Sequence, residues 1–363
     1  MSLTAAQYAL LQRLPKAELH VHLDGSLRPD TLLALAAERG VALPESDVES
    51  LASFMRVDDA RNLEDYLARF AITLGVMQDA ESLERIAHEP VIESAEDGVR
   101  YVEVRYCPAL NTRGGLPPED VLAAVQRGLH RGERETGTTA RTIICALRNL
   151  GAAHAQAMAE LAVAHRAQGV VAFDLAGGEM GNPARNFADA FAYARAHDLA
   201  VTVHAGEGDG AHSIREAVHV CGADRIGHGT RLLEDASLRD YVRDRGIALE
   251  VCPTSNVQTR VAATFATHPL RVQHDAGVIV TLNTDNRLMS GVTLTEEYAR
   301  CAEHLAFDLT ALAGLSLNAF DASFLPLPER AKLRDAAARE IAQLLEESAS
   351  DEMWSPTAEG VSA

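Results

Sequence analysis

Residues 17–26 read Ala-Glu-Leu-His-Val-His-Leu-Asp-Gly-Ser, an apolar run that predicts a strand with a histidine pair near its end. Side chains at positions i and i+2 of a strand point to the same face, so His20 and His22 can bind one metal ion. The turn at Asp24-Gly25 then lets a ligand approach the backbone. Taken alone, the pair is explained equally well by two strand histidines with ordinary hydrogen bonds.

Later apolar runs also end in residues that can bind a metal or transfer a proton. Asp174 ends one run, His204 ends another with Glu207 three residues beyond it, His228 stands between two glycines, and Asp285 follows a buried-looking run. Each has an ordinary structural explanation: a core histidine, a solvated turn acid, a turn residue or a helix N-cap. Their shared position at the ends of runs favours one common site.

The spacing of these runs predicts the fold. Eight short apolar or β-branched runs recur, most of them separated by segments with helical periodicity such as 118–137, 185–197 and 213–220. This alternation is typical of an α/β fold, the (β/α)₈ TIM barrel, whose active sites lie at the C-terminal ends of the strands. The predicted strands are 18–23, 99–106, 141–147, 169–175, 199–204, 224–228, 247–252 and 277–283.

The first two strands are separated by about twice the usual crossover, which predicts extra helices over the barrel mouth. Apolar residues recur near helical spacing between Phe54 and Phe70, either as a face that packs on the barrel or as a lid over the substrate. We expect one domain over residues 1–350, and a flexible C-terminal tail over 351–363 because its composition turns polar.

Composition narrows the classes of function. The 363 residues carry a formal net charge of −19, which disfavours nucleic acid and anionic membranes as partners. The five cysteines are odd in number and lie mostly within apolar runs, which indicates reduced core thiols and a cytoplasmic setting. We find no membrane-spanning run and no secretory signal. The sequence does not indicate the oligomeric state.

Four ordered motifs together resemble the adenosine/adenine deaminase family of zinc aminohydrolases, over about residues 15–345. They are His-x-His at 20–22, His-Ala-Gly-Glu at 204–207, Gly-His-Gly at 227–229 and Asn-Thr-Asp at 283–285. The segments 173–177 (Phe-Asp-Leu-Ala-Gly) and 250–256 (Glu-Val-Cys-Pro-Thr-Ser-Asn) also match the family. The resemblance is closest to the nucleoside-type adenosine deaminases.

The resemblance implies a role for each motif residue. One zinc ion would be bound by His20, His22, His204 and Asp285. Glu207 would protonate the purine ring at N1, and His228 would orient the attacking water. Asp24 would contact the ribose 5′-hydroxyl, Gly177 would donate its backbone N–H to purine N3, and Asn286 would contact N7. The family usually has Asp at this last position, whereas the amide of Asn286 can donate at any pH.

Elementary chemistry supports these roles. Three imidazoles and a carboxylate suit zinc, which acidifies a water ligand. Attack on a carbon that bears an amino group needs an acid for the ring nitrogen and a base for the water, and Glu207 and His228 can serve. By comparison with barrel hydrolases that hold two ions, which usually bridge them with a carbamylated lysine of the fourth strand, we expect one metal ion per chain, because the strand at 169–174 has no lysine.

The preferred substrate stays open at this point. Adenosine is the first expectation, and free adenine or a larger 6-aminopurine nucleoside such as aminodeoxyfutalosine are alternatives. Arg28, Arg105 or Arg148 could bind a substrate carboxylate, although a salt bridge explains each as well. A metal-dependent phosphoesterase or a non-catalytic binding relative is a more remote possibility. The first would need further ligands and a phosphate-binding loop, and the second would have lost part of the site.

Overall fold

The computed structural model describes residues 2–350 and residue 354. Eight parallel strands pair in sequential order, each hydrogen-bonded to the next, with register shifts in the pairs of the first strand with the second and of the third with the fourth. The predicted (β/α)₈ barrel is confirmed. The strands are β1 (Lys16–His22), β2 (Val99–Tyr106), β3 (Thr139–Leu147), β4 (Val170–Ala176), β5 (Ala200–Ala205), β6 (Arg225–His228), β7 (Ala248–Val251) and β8 (Val280–Leu282).

The barrel closes between β1 and the segment that follows β8. The backbone N–H of Asp285 donates to the carbonyl of His20 at 3.0 Å, and the N–H of His22 donates to the carbonyl of Asp285 at 2.7 Å. The backbone hydrogen bonds that close the barrel therefore place three candidate ligands, His20, His22 and Asp285, next to one another.

Helices surround the barrel and precede or follow the strands. In the described residues they are α1 (Ala5–Arg13), α2 (Pro29–Arg39), α3 (Val48–Met55), α4 (Leu63–Leu67), α5 (Phe70–Val76), α6 (Ala80–Glu96), α7 (Pro118–Thr136), α8 (Gly151–Ala164), α9 (Ala188–Ala196), α10 (Ala211–Glu216), α11 (Ala236–Asp244), α12 (Pro253–Gln258), α13 (Leu270–Asp275), α14 (Arg287–Ser290), α15 (Leu294–Leu305), α16 (Leu309–Ala322) and α17 (Leu327–Ser350). None of the helices described is both long and apolar enough to cross a bilayer.

The elements differ from the sequence-based expectation mainly at their ends. The last strand is Val280–Leu282 rather than 277–283, because Gly277 and Val278 donate their N–H groups to the end of α13. The helix expected at 213–220 is α10 continued by a π-helical turn, Ala217–Cys221. That expected at 185–197 begins with a 3₁₀ turn, Ala184–Phe187, before α9.

Five helices, α2 to α6, lie between β1 and β2, where the sequence predicts an insertion. Leu63, Tyr66 and Leu67 of α4, together with Phe70 and Leu74 of α5, line the cavity above the strand ends. The apolar residues of this segment therefore pack on the barrel and also wall the cavity. The tail expected over 351–363 lies outside the described residues except for Trp354, which packs against the core.

Candidate active site

Four side chains converge at the C-terminal end of the barrel, and each offers one ligand atom. These atoms, from His20, His22, His204 and Asp285, lie within 4.8 Å of one another. The Nε2 atoms of His22 and His204 are 3.1 Å apart, and Oδ1 of Asp285 lies 3.3 Å from Nε2 of His20 and 3.4 Å from Nε2 of His22. Three imidazole nitrogens and a carboxylate oxygen at this spacing can bind one transition-metal ion.

Two observations on the histidines support a metal rather than a set of hydrogen bonds. Nε2 of His20 is completely buried, and its polar neighbour at 3.3 Å, Oδ1 of Asp285, is itself a candidate ligand that does not form a well-aligned hydrogen bond with it. Burial lowers the pKa of His22 and of His204, so both rings are neutral, which is the form that binds a metal. His22 and His204 thus present nitrogen lone pairs to a metal, whereas for His20 the effect of burial is outweighed by the carboxylates of Asp285 and Glu250, which raise its pKa.

Two buried carboxylates orient two of the ligand rings. Oε2 of Glu250, on β7, lies 2.8 Å from Nδ1 of His20, and Oδ2 of Asp174, on β4, lies 3.0 Å from Nδ1 of His204. Each carboxylate accepts the Nδ1 proton and leaves Nε2 free for a metal. Asp174 was a candidate ligand in the sequence, but it lies outside the group of four and supports His204 instead.

Arg105, on β2, binds both of these carboxylates. Its Nη1 lies 3.1 Å from Asp174 and its Nη2 lies 2.7 Å from Glu250, and all three side chains are fully buried. Burial alone would raise the pKa of Glu250, but the guanidinium groups of Arg105 and Arg225 hold it well below its usual range. Both carboxylates are therefore anions, and Arg105 serves the metal site rather than a substrate.

The backbone is strained at two of the site residues. His228 and Asp285 have φ angles of 61° and 63°, in the left-handed region that residues other than glycine rarely adopt. Gly227, the neighbour of His228, leaves room for the ligand rings, because a Cβ there would lie 3.1 Å from Cε1 of His20 and from Cα of His204, closer than ordinary packing. Such strain persists where the surrounding structure requires a particular side-chain direction.

Glu207 lies on the turn after β5 and faces His228 across the cavity. Its Oε2 is 3.4 Å from Nε2 of His228. The turn is held by Glu179, a buried residue that the sequence analysis did not single out. The two carboxylate oxygens of Glu179 accept the backbone N–H groups of Gly206, Glu207 and Asp209 at 2.7, 3.0 and 3.1 Å. These hydrogen bonds to the backbone of the turn fix the direction in which the side chain of Glu207 points.

The segment around α12 supports the remaining polar groups. Ser255 donates its hydroxyl to Oδ2 of Asp285 at 2.7 Å, and the amide of Asn256 lies 3.1 Å from Nδ1 of His228. Burial, and next the charge of His20, hold the pKa of His228 well below its usual value, so this ring is neutral. Ser255 and Asn256 could have been found in the sequence only as part of the motif 250–256.

The expected substrate-binding residues line the same cavity, whose volume is about 960 Å³. Asp24 and Asn286 lie on either side of the Gly25 turn, and Gly177 follows β4 with a φ of 90°. A Cβ on Gly25 would lie 1.8 Å from Oδ1 of Asn286, so the glycine is required by close approach. Burial raises the pKa of Asp24 to about 7.

Few cationic side chains that could bind a carboxylate of the substrate line this cavity. Arg28 pairs with Asp30 on the surface, and Arg148 donates to the carbonyls of Asn182 and His204. Neither lines the cavity. The guanidinium of Arg113 does so at the mouth, where it donates to the carbonyl of Leu74. The rest of the wall is mainly apolar, which suits a flat neutral ring.

Most of the chain is similar to known deaminases. The family model for adenosine deaminase matches residues 15–340. A curated adenosine deaminase from Mycobacterium sp. strain JLS is 43% identical over 343 residues, which are 90% of this chain and 94% of the relative. Two solved structures, each 28% identical, also match. They are a zinc-bound amidohydrolase from Burkholderia ambifaria (TM-score 0.87, 96% of each chain) and an adenine deaminase from Arthrobacter aurescens (TM-score 0.85, 92% of this chain and 99% of that one).

The match to the family model spans the eight strands and every residue of the site described above. The chain is therefore a metal-dependent deaminase and belongs to the adenosine deaminase family.

Proposed function

We propose that this protein hydrolyses adenosine to inosine and ammonia, with one zinc ion bound by His20, His22, His204 and Asp285. The observation that carries the proposal is the position of Glu207 and His228 beside the ligand cluster, on the wall of an apolar cavity. The curated relatives named adenosine deaminase support the choice of substrate. The activity belongs to a single domain, residues 1–350.

Zinc is the metal that this donor set fits best, because it prefers imidazole and carboxylate ligands in a small coordination sphere. When bound, it acts as a Lewis acid that lowers the pKa of a water ligand. A single ion is expected because β4, Val170–Ala176, provides no lysine to bridge a pair. The five cysteines are buried and free of disulfides, which supports a reducing, cytoplasmic setting.

The reaction requires several proton transfers. Oxygen attack at C6 of the purine places electron density on N1, and Glu207 supplies the proton that N1 keeps in the product. Of the two protons of the attacking water, one must reach the departing amino group, which leaves as ammonia, and the other must return to Glu207 to replace the proton given to N1. His228 faces the attacking oxygen through Nε2. Whether it donates or accepts a proton there depends on which ring nitrogen is protonated.

The purine is held by contacts that leave C6 near the cluster. Gly177 offers a backbone N–H to N3, Asn286 offers an amide N–H to N7, and Asp24 faces the ribose. The ionised fraction of Asp24, whose pKa is about 7, would repel a 5′-phosphate, which favours nucleosides over nucleotides. Adenine stays an alternative because a solved relative is named adenine deaminase. Aminodeoxyfutalosine also stays an alternative: Arg28, Arg105 and Arg148 lie outside the cavity lining, but Arg113 is part of it and could bind a substrate carboxylate.

A substrate panel tests the proposal. We expect the zinc-loaded protein to release ammonia from adenosine and 2′-deoxyadenosine with a higher kcat/KM than from adenine, AMP or aminodeoxyfutalosine. The measurement is coupled ammonia detection at matched substrate concentrations. A preference for adenine or for aminodeoxyfutalosine would change the assigned substrate but not the deamination reaction. No ammonia release from any of the five compounds would contradict the proposed function.

The role of Asn286 is tested with 7-deazaadenosine, which has carbon in place of the acceptor N7. Loss of this acceptor leaves a buried amide donor unpaired, at a cost of about 1–3 kcal/mol, or roughly tenfold to a hundredfold in kcat/KM. The matched variant Asn286→Ala should lower activity on adenosine by a similar factor and abolish the difference between the two substrates. Equal activity of the unaltered protein on both would mean that Asn286 does not contact N7.

Asp174 should control metal affinity through His204. We expect Asp174→Asn to weaken zinc binding by about 10–100-fold, the usual effect of removing a carboxylate that orients a ligand ring. The measurement is competition with a chromophoric chelator. Glu103→Gln is the control, since Glu103 is equally buried and binds Arg225 but contacts no ligand. Equal zinc affinities in the two variants would argue against this role.

A further inference from the structure

A chain of buried hydrogen bonds runs from α13 to His228 and ends in the active site. The N–H of Leu270 donates to Nδ1 of His268 at 3.1 Å, Nε2 of His268 lies 3.1 Å from Oδ1 of Asn256, and Nδ2 of Asn256 lies 3.1 Å from Nδ1 of His228. The side chains of His268, Asn256 and His228 are all buried. We call these three side chains the relay.

The direction of each hydrogen bond follows from the first one. A backbone N–H can only donate, so Nδ1 of His268 must accept and its Nε2 must carry the proton. Oδ1 of Asn256 accepts that proton, and it also accepts the hydroxyl of Thr230 at 3.1 Å. The amide nitrogen of Asn256 is then left to donate to Nδ1 of His228. A reversed amide would face the proton on His268 with its own protons.

From this order we infer that His228 is held as the tautomer with its proton on Nε2, so that it donates a hydrogen bond to the attacking oxygen and is not the general base. Asn256 and His268 are positioning residues for it. His268 is neutral, as its acceptor role at Nδ1 requires, since burial lowers its pKa to about 3.

The inference also bears on the number of metal ions. Carboxylate and imidazole atoms of Glu207, His228 and Asp285 lie close enough together to form a second candidate metal group. A protonated Nε2 has no lone pair for a metal, so the relay excludes His228 from ligation. The single ion is therefore assigned to His20, His22, His204 and Asp285. His228 stays available to donate a hydrogen bond to the attacking water.

The role of His228 toward the attacking oxygen rests on the proposed function. The tautomer of His228 does not depend on it. The direct test is therefore NMR of the zinc-loaded protein labelled with ¹⁵N-histidine, with His228 assigned by comparison with His228→Gln. We expect a protonated Nε2 and an unprotonated Nδ1 for His228 at neutral pH. The opposite pattern overturns the inference whether or not adenosine is the substrate, and it needs no other variant to fold.

Asn256→Asp reverses the last step of the relay without changing its shape. Its carboxylate can accept from both histidines, so it should move the proton of His228 to Nδ1. We expect one zinc per chain to be retained and kcat to fall by roughly 10²–10³-fold, as for loss of a donor to a developing oxyanion. If His228 were the base, the same variant would expose a lone pair at Nε2 and leave kcat unchanged or raised.

Thr230→Val is the matched control. It removes one hydrogen bond to Oδ1 of Asn256 but leaves the direction of the relay intact. We expect the tautomer of His228 to be unchanged and kcat to stay within about tenfold of the unaltered protein. An equal loss in Thr230→Val and Asn256→Asp, with no change of tautomer in either, would mean that Asn256 acts only through packing.

Discussion

The site depends on one buried guanidinium. Arg105 holds Asp174 and Glu250 on opposite sides of the barrel interior, and these two carboxylates hold His204 and His20 by their Nδ1 atoms. Removing one member of a buried ion pair costs about 3–5 kcal/mol, since it leaves the other charge uncompensated. Metal binding and folding are therefore linked through the same few side chains. The charged side chains in this part of the barrel are fully buried, and they orient the candidate ligands rather than contact solvent.

Closure of the barrel completes this arrangement. Backbone hydrogen bonds of Asp285 to His20 and His22 join the last strand to the first, so ligand geometry and fold topology are set by the same contacts. Asp285 has a left-handed conformation at this junction, and His228 has one at the end of β6. The candidate ligands lie on strands or just after one, and the proposed proton donor Glu207 lies on a turn held by Glu179, an arrangement that fits a reaction in which small displacements of the reacting groups are costly.

Much of this could be predicted from the sequence, since strand alternation and the rule for strand ends depend on local patterns. Two patterns were sufficient to predict that the candidate ligands lie at one end of the barrel. They are the histidines at i and i+2 and the polar residues that follow apolar runs. Asp174 shows the limit, because a carboxylate at a strand end can bind a metal or a ligand ring. Glu179 and His268 gave no local signal. Their partners are distant in sequence, and their effect depends on hydrogen bonds that only the folded chain defines.

The central claim is a deaminase with one catalytic metal ion held by three imidazoles and a carboxylate. It is tested most directly by titrating zinc into protein freed of metal by a chelator while ammonia release from adenosine is followed. The account predicts no activity without metal and a linear rise that ends at one equivalent per chain. A break at two equivalents, or full activity in the metal-free protein, would contradict it.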